Sequence, residues 1–362
     1  MNLKDALTLA TKYTNAKKTS EGFHVVKLSY GCVEARNESS GCLIDVEDLN
    51  DSYWEKREVA VEAASLKKIV AQISDPKLEV RRNSLYIEDS GLSFRLRGLP
   101  KSSLPHSVQP PDFSSTPVVP QDAVRALTLL SGVVDTVEGS GGFNMAGVRL
   151  TPFWSAAATS STLTVAWHAV LPSDSEPVTV PYQLFKSLPQ DEAMVQQTSD
   201  GKVWIRCGDQ SRWSLPLIGS WPDAAVNDMS GQCREEAASG ERTVFTTLGD
   251  NVATLSKRAL LIADRNTSYW LKVDDTELVL SSDGNGDEFV GQVKVDVSQA
   301  LTLDDPRVGI SPSDLSKVAA VVALSSDDDQ IAMSLGPSTA PVVIWNGATI
   351  PVEAVVMPKR LA

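Results

Sequence analysis

Three short stretches of this chain share one spacing of apolar residues: an aliphatic residue, four variable positions, Leu or Phe, two more variable positions, then a second aliphatic residue. They are Val61 to Ile69 (VEAASLKKI), Val180 to Leu188 (VPYQLFKSL) and Ile310 to Val318 (ISPSDLSKV). Their starts lie roughly 120 to 130 residues apart, far beyond the period of a solenoid unit and suited to a whole domain. Each stretch opens as a helix does, with Pro181 and Pro312 in the first turn of two of them.

What surrounds each stretch recurs as well. Downstream come alternating, strand-like segments: Lys77 to Val80, Ser84 to Ile87 and Leu92 to Leu96 after the first; Met194-Val195, Val203 to Ile205 and Trp213 to Leu215 after the second; Ile331 to Met333, Val342 to Ile344 and Val352 to Val356 after the third. Upstream, Leu3/Leu7/Ala10, Val124/Leu127/Leu130 and Val252/Leu255/Ala259 repeat at helical spacing. Segments rich in Pro and Ser (Leu104 to Pro120) and in Gly, Glu and Ser (Asp228 to Arg242) fall where such a period needs boundaries. The pattern predicts an α+β chain of three repeated domains, each with two helices packed on antiparallel sheet, over residues 1–115, 116–240 and 241–362.

Charge sharpens this. The 362 residues carry 33 Lys+Arg against 46 Asp+Glu, a net charge of −13, which excludes a simple basic groove for nucleic acid. The six predicted helices nevertheless hold Lys4, Lys12, Lys67, Lys68, Arg125, Lys186, Lys257, Arg258 and Lys317 against Asp5, Asp122, Asp250, Asp264 and Asp314, a balance of +4. Acid is concentrated on strands and loops. Such segregation suits helices that share one anion-facing surface; good helix-forming propensity of Lys on a solvated face accounts for it equally well.

No window reaches eighteen apolar residues, and Met1 to Asp5 begin no apolar leader, so a cytoplasmic protein without a membrane span is expected. Cys32, Cys42, Cys207 and Cys233 are too scattered for a disulfide framework or a zinc site, and idle thiols are expected. Asp283 to Glu288 starts like a calcium loop, but Glu288 and Lys294 stand where that loop needs Gly and Glu. His24, His106 and His168 join no nucleophile motif, and no phosphate-cradling glycine loop is present. No catalytic residue, metal or cofactor is expected.

Three segments resemble one family. Val355-Val356-Met357-Pro358-Lys359-Arg360-Leu361 is similar to the V-V-M-P-M-R-L ending of the bacterial sliding clamp, the beta subunit of DNA polymerase III. Leu217 to Asp223 (LIGSWPD) resembles that family's K-L-[IV]-[DE]-G-[RK]-[FY]-P-[DN] segment, and Ser93 to Pro100 (SFRLRGLP) its F-x-L-x-x-L-P strand. The resemblance implies a homodimeric head-to-tail ring, helices inside and strands outside, that encircles duplex DNA without sequence preference. It also implies tethering of the replicative polymerase and clamp loader through short linear motifs. The helix cations named above would face phosphate, joined by Lys17 and Lys18 where the family has Arg-x-x-Leu-Pro. Met145, Pro222, Val355, Val356, Met357 and Pro358 would wall the partner pocket. Phe94 and Leu96 would meet Leu261 and Ile262 of the next subunit.

The chain departs from that family in three places. Thr164 to Val170 stands for its T-D-G-H-R-L turn, Asn15 to Ser20 for its Arg-x-x-Leu-Pro, and Ala224-Ala225-Val226 for its Y-R-R. These losses fit a divergent clamp of phage or unusual bacterial origin. The competing reading is a non-catalytic, β-rich interaction module with three repeats and no DNA role.

Overall fold

The structure, a computed structural model, describes residues 1–15, 22–100, 107–134, 145–226, 242–262, 268–283, 288–299, 307–325 and 328–359. Lys17 and Lys18, most of the calcium-like loop and the last three residues lie outside them. The chain is mixed α+β and dominated by antiparallel strands. It divides into two compact units, Met1–Val118 with Asp191–Pro216, and Val119–Gln190 with Leu217–Ala362.

In the first unit, Val59–Glu62, Val25–Ser29, Cys32–Arg36 and Ser40–Asp45 run side by side and continue into Gln210–Ser214, Val203–Cys207 and Ala193–Gln197. The join is the antiparallel pairing of Gln210 with Ile44 through Ser214 with Ser40. Helices Leu3–Ala10 and Ala63–Val70 bury Leu3, Leu7, Leu66 and Ile69 with Val26, Leu28, Ile44 and Ile87. Asn2 caps the first helix by accepting from Asp5 N at 2.8 Å. A separate three-stranded sheet, Lys77–Arg81, Ser84–Asp89 and Leu92–Arg97, leaves Leu92–Arg97 at its edge. Phe113, in the Pro/Ser-rich segment, is buried with Trp204 and Trp213 and so ties that segment down.

The second unit holds a nine-stranded sheet: Val178–Pro181, Gly147–Leu150, Ser155–Ala158, Thr162–Ala166, Val352–Val356, Val342–Trp345, Gln330–Leu335, Thr243–Leu248 and Asp296–Gln299. A four-stranded sheet, Val290–Lys294, Glu277–Asp283, Ser268–Asp274 and Val308–Ile310, lies with it, Val290–Lys294 at the edge. Its helices include Gln121–Leu130, Gly249–Ala259 and Pro312–Leu324. Ser311 and Pro312 start the last of these, as a capping residue and a proline at N1 should.

The threefold apolar pattern turns out to mark a strand end leading into a turn of helix. Val61, Val180 and Ile310 end or nearly end strands, and all nine pattern positions are buried, none more than 9 % exposed. In the first and third copies an α-helix follows. The second copy departs from the expected helix: only a 3₁₀ turn forms at Tyr182–Leu184. Ser187 takes φ +57° and Pro189 restricts the residue before it, so the chain cannot continue helically.

Candidate functional site

The expected partner pocket falls within the second unit. Thr162–Ala166 pairs antiparallel with Val352–Val356, from Thr162 opposite Val356 to Ala166 opposite Val352. Beyond the strand, Met357 N donates to Ser161 O at 2.8 Å and Lys359 N to Gly309 O at 3.0 Å, so the C-terminal segment is held down residue by residue. Val355, 2 % exposed, packs with Val343 and Trp345, and Val356 is fully buried. Both are strand core and line no surface. Met357 is 41 % exposed and Pro358 half-buried, so these two present the segment outward.

Leu163, opposite Val355, belongs to an apolar cluster with Trp154, Ala156, Ala158, Val165, Trp221 and Val226. Met145 and Trp167 pack half-buried against it. The Trp154 and Trp221 rings lie 5.9 Å apart and tilted by 40°. Pro222 follows directly, with Ala225 N donating to Pro222 O at 3.0 Å. Arg149 fixes this turn through a two-pronged ion pair, Nε to Asp223 Oδ1 at 2.8 Å and Nη2 to Oδ2 at 2.5 Å. Its Nη1 also donates to Thr179 Oγ1 at 3.3 Å. The structure therefore brings Met145, Pro222 and the strand of Val355 to the borders of one tryptophan-rich cluster.

Of the stretch matched to the family's turn, Thr164–Val170, the first three residues complete the strand Thr162–Ala166 and the chain leaves the strand at Trp167, while Thr159–Ser161 forms the turn beside the C-terminal segment. Thr164 to Ala166 are buried strand interior, every residue of Thr162–Ala166 being covered between the paired strands Ser155–Ala158 and Val352–Val356. Trp167 Nε1 instead donates to the buried Glu353 Oε2 at 3.2 Å, and burial lowers the pKa of His168 next to it. Ser161 Oγ donates to Asp314 Oδ2 at 2.7 Å, linking this turn to the first turn of helix Pro312–Leu324. Sequence reading missed Trp154, Arg149, Trp221 and Ser161. The available signal was two tryptophans placed in proline-bearing turns, Thr151-Pro152-Phe153-Trp154 and Trp221-Pro222.

The helix cations are mostly solvent-facing. Lys12, Lys67, Lys68, Lys257, Arg258 and Lys317 are exposed, Lys4 and Arg125 half-buried, and Lys186 is exposed just after the 3₁₀ turn rather than on a helix. Lys67-Lys68 and Lys257-Arg258 both occupy last turns, where positive charge also complements the helix dipole. Phe94 and Leu96 sit half-buried on edge strand Leu92–Arg97 and pack on the first unit's core. Leu261 and Ile262, just past helix Gly249–Ala259, are 83 % and 38 % exposed. Among the described residues no group of three or more His, Cys, Asp or Glu gathers at metal-binding distance, and no helix is long and apolar enough to cross a membrane.

No protein-family model and no curated protein sequence matches this chain. Solved structures do. The chain is similar to a sliding clamp from Pseudomonas aeruginosa bound to griselimycin, with 16% identity, TM-score 0.75 and cover of 99% of this chain and 97% of that one. It is similar to the DNA polymerase III beta subunit of Thermotoga maritima at 18% identity and TM-score 0.73, covering 100% and 98%. A sliding clamp from Caulobacter crescentus agrees at 18% identity and TM-score 0.70, covering 99% and 97%. The fold is thus that of DNA polymerase III beta sliding clamps from end to end.

Proposed function

We propose that this protein is a non-catalytic DNA sliding clamp, in which two copies close head to tail around duplex DNA and tether a polymerase and a clamp loader by short peptide segments. The observation that carries the reading is the end-to-end agreement of fold with sliding clamps. On this reading residues 1–115, 116–240 and 241–362 are the three clamp-type domains. Edge strand Leu92–Arg97 of one copy and the exposed apolar surface at Val290, Leu261 and Ile262 of the other form the two joints. Closure covers strand edges that would otherwise invite aggregation.

Duplex DNA carries about one charge per 1.7 Å of axis, and the exposed Lys and Arg of the helices supply dispersed counter-charge with no base-reading groups required. A chain of net charge −13 then holds DNA by enclosure while its remaining surface repels it. Partners dock at Met357 and Pro358, which continue the strand paired with Leu163 of the tryptophan cluster, together with Met145 and Pro222. In solution the expected mass is twice the 38.9 kDa of one chain. After loading, the protein should stay on closed circular DNA and run off the same DNA once linearised. Equal retention on both forms, or a mass that remains that of one chain at every concentration, would overturn the assignment.

A further inference from the structure

One sheet face runs against the charge of the rest of the chain. In the sheet of Lys77–Arg81, Ser84–Asp89 and Leu92–Arg97, alternation turns Leu78, Val80, Leu85, Ile87, Phe94 and Leu96 onto the first unit's core. The opposite face carries Arg81, Tyr86, Arg95 and Arg97, aligned by the pairings Arg81–Ser84–Arg97 and Glu79–Tyr86–Arg95. Arg82 stands in the connecting turn at φ +45°. Beyond strand Lys77–Arg81, the Tyr53 hydroxyl donates to Val80 O at 3.0 Å and accepts from Val80 N at 2.8 Å, and the Arg57 guanidinium lies 3.8 Å from the Tyr53 ring centroid. All five arginines are exposed. Among the described residues only Arg81 of the five is ion-paired, its fork closing on Glu79. Lys77 and Glu88 oppose each other across the strands and cancel. Five arginines less one glutamate leave +4 on this face and its rim, in a chain of net charge −13.

The chemistry of the face selects its partner. Arg81 and Arg95 lie over the Tyr86 ring, 5.2 and 5.7 Å from its centroid, and a guanidinium held over a ring keeps its N–H edges for an anion. No apolar anchor is offered: Tyr86 is half-buried beneath these two groups, and the other residues of this face are charged or Ser. Protein partners are held by apolar and aromatic anchors at the centre of an interface, whereas a nucleic-acid backbone is held by dispersed cations. Between single and double strands, the guanidinium planes decide. Unpaired bases can lie on them, and a duplex keeps its bases stacked inside.

We infer that this face is a second nucleic-acid site that takes a single strand without sequence preference, its phosphates on the arginines and its bases on their planes. Leu66 and Ile69 of helix Ala63–Val70 share the core with Leu85 and Ile87, so the face is turned away from that helix and from Lys67 and Lys68. The inference goes beyond the clamp reading and stands whether or not two copies close into a ring.

Fluorescence anisotropy of a labelled oligodeoxythymidylate of about 20 nucleotides tests it, beside a duplex of equal length and a polyglutamate peptide. The wild type should bind the single strand most tightly. Arg57→Gln, Arg81→Gln and Arg82→Gln together should weaken that binding about tenfold and reduce its slope of log affinity against log salt by roughly 2, with the solution mass unchanged. An unchanged affinity and slope overturns the inference. Equal or tighter binding of the duplex overturns the single-strand assignment, and tighter binding of polyglutamate makes the face one for an acidic protein instead. A fall in mass would place these arginines in the joint between copies and overturn it too. None of these outcomes bears on retention of closed circular duplex, which tests the clamp reading separately.

Discussion

At the scale of single residues, burial decides which groups can react. Cys42 is fully buried and its thiol is pushed up to about 12, Cys32 is half-buried and pushed up to about 11, and Cys207 is raised as well, in each case chiefly because the thiolate would lose its water. Iodoacetamide at pH 8 is therefore expected to leave these three unlabelled in the native protein and to label all of them in urea, as read by mass spectrometry; native labelling of Cys42 would contradict its placement. The sign of the pH dependence follows. A thiol raised in the folded state contributes stability below its unfolded value near 9 and loses it as pH climbs toward the folded value of about 12. Idle thiols were legible from the sequence as scattered cysteines. The Arg149–Asp223 fork was not, because its partners are 74 positions apart and neither stands in a motif.

At the scale of elements, helix Gly249–Ala259 and helix Pro312–Leu324 pack closely because Gly249 has no side chain: a β-carbon there would collide with Ala323 Cβ. Gly249→Val is expected to lower stability by about 1–3 kcal/mol through overpacking, read as a fall in the urea midpoint with unchanged slope. A neutral result would mean that the helices separate without cost. Five α-helices were foreshadowed by apolar spacing, since Leu3/Leu7/Ala10 and its counterparts each bury one stripe. The sixth was not formed. Val180–Leu188 has the same apolar spacing, but Ser187 in the left-handed region and Pro189 after it permit only a 3₁₀ turn, so backbone restriction overrode periodicity. The stretch matched to the family's turn was legible in part: the chain leaves its strand at Trp167, but that Thr164 to Ala166 are buried strand shows only once their cross-strand partners are known.

At the scale of the whole molecule, the clamp reading turns on where charge is displayed. Lys67-Lys68 and Lys257-Arg258 are exposed helix pairs in the two units, and on the clamp reading each meets phosphate. Replacing all four by Ala removes eight such charges from the two-copy ring and should reduce the salt dependence of DNA retention by roughly 7 in the slope of log affinity against log salt, without sequence preference. An unchanged slope would remove these residues from the DNA surface. From sequence alone came the α+β class, five of the six expected helices and most strands, because apolar periodicity is local and survives without a partner. The C-terminal V-V-M-P-K-R-L run also marked the segment from Val355 to Leu361. Only the tertiary structure separated buried Val355 and Val356 from exposed Met357, set Ser161 beside it and stacked Trp154 near Trp221. The physical reason is that these depend on strand register between segments nearly two hundred residues apart, and register is chosen by which faces can be buried together.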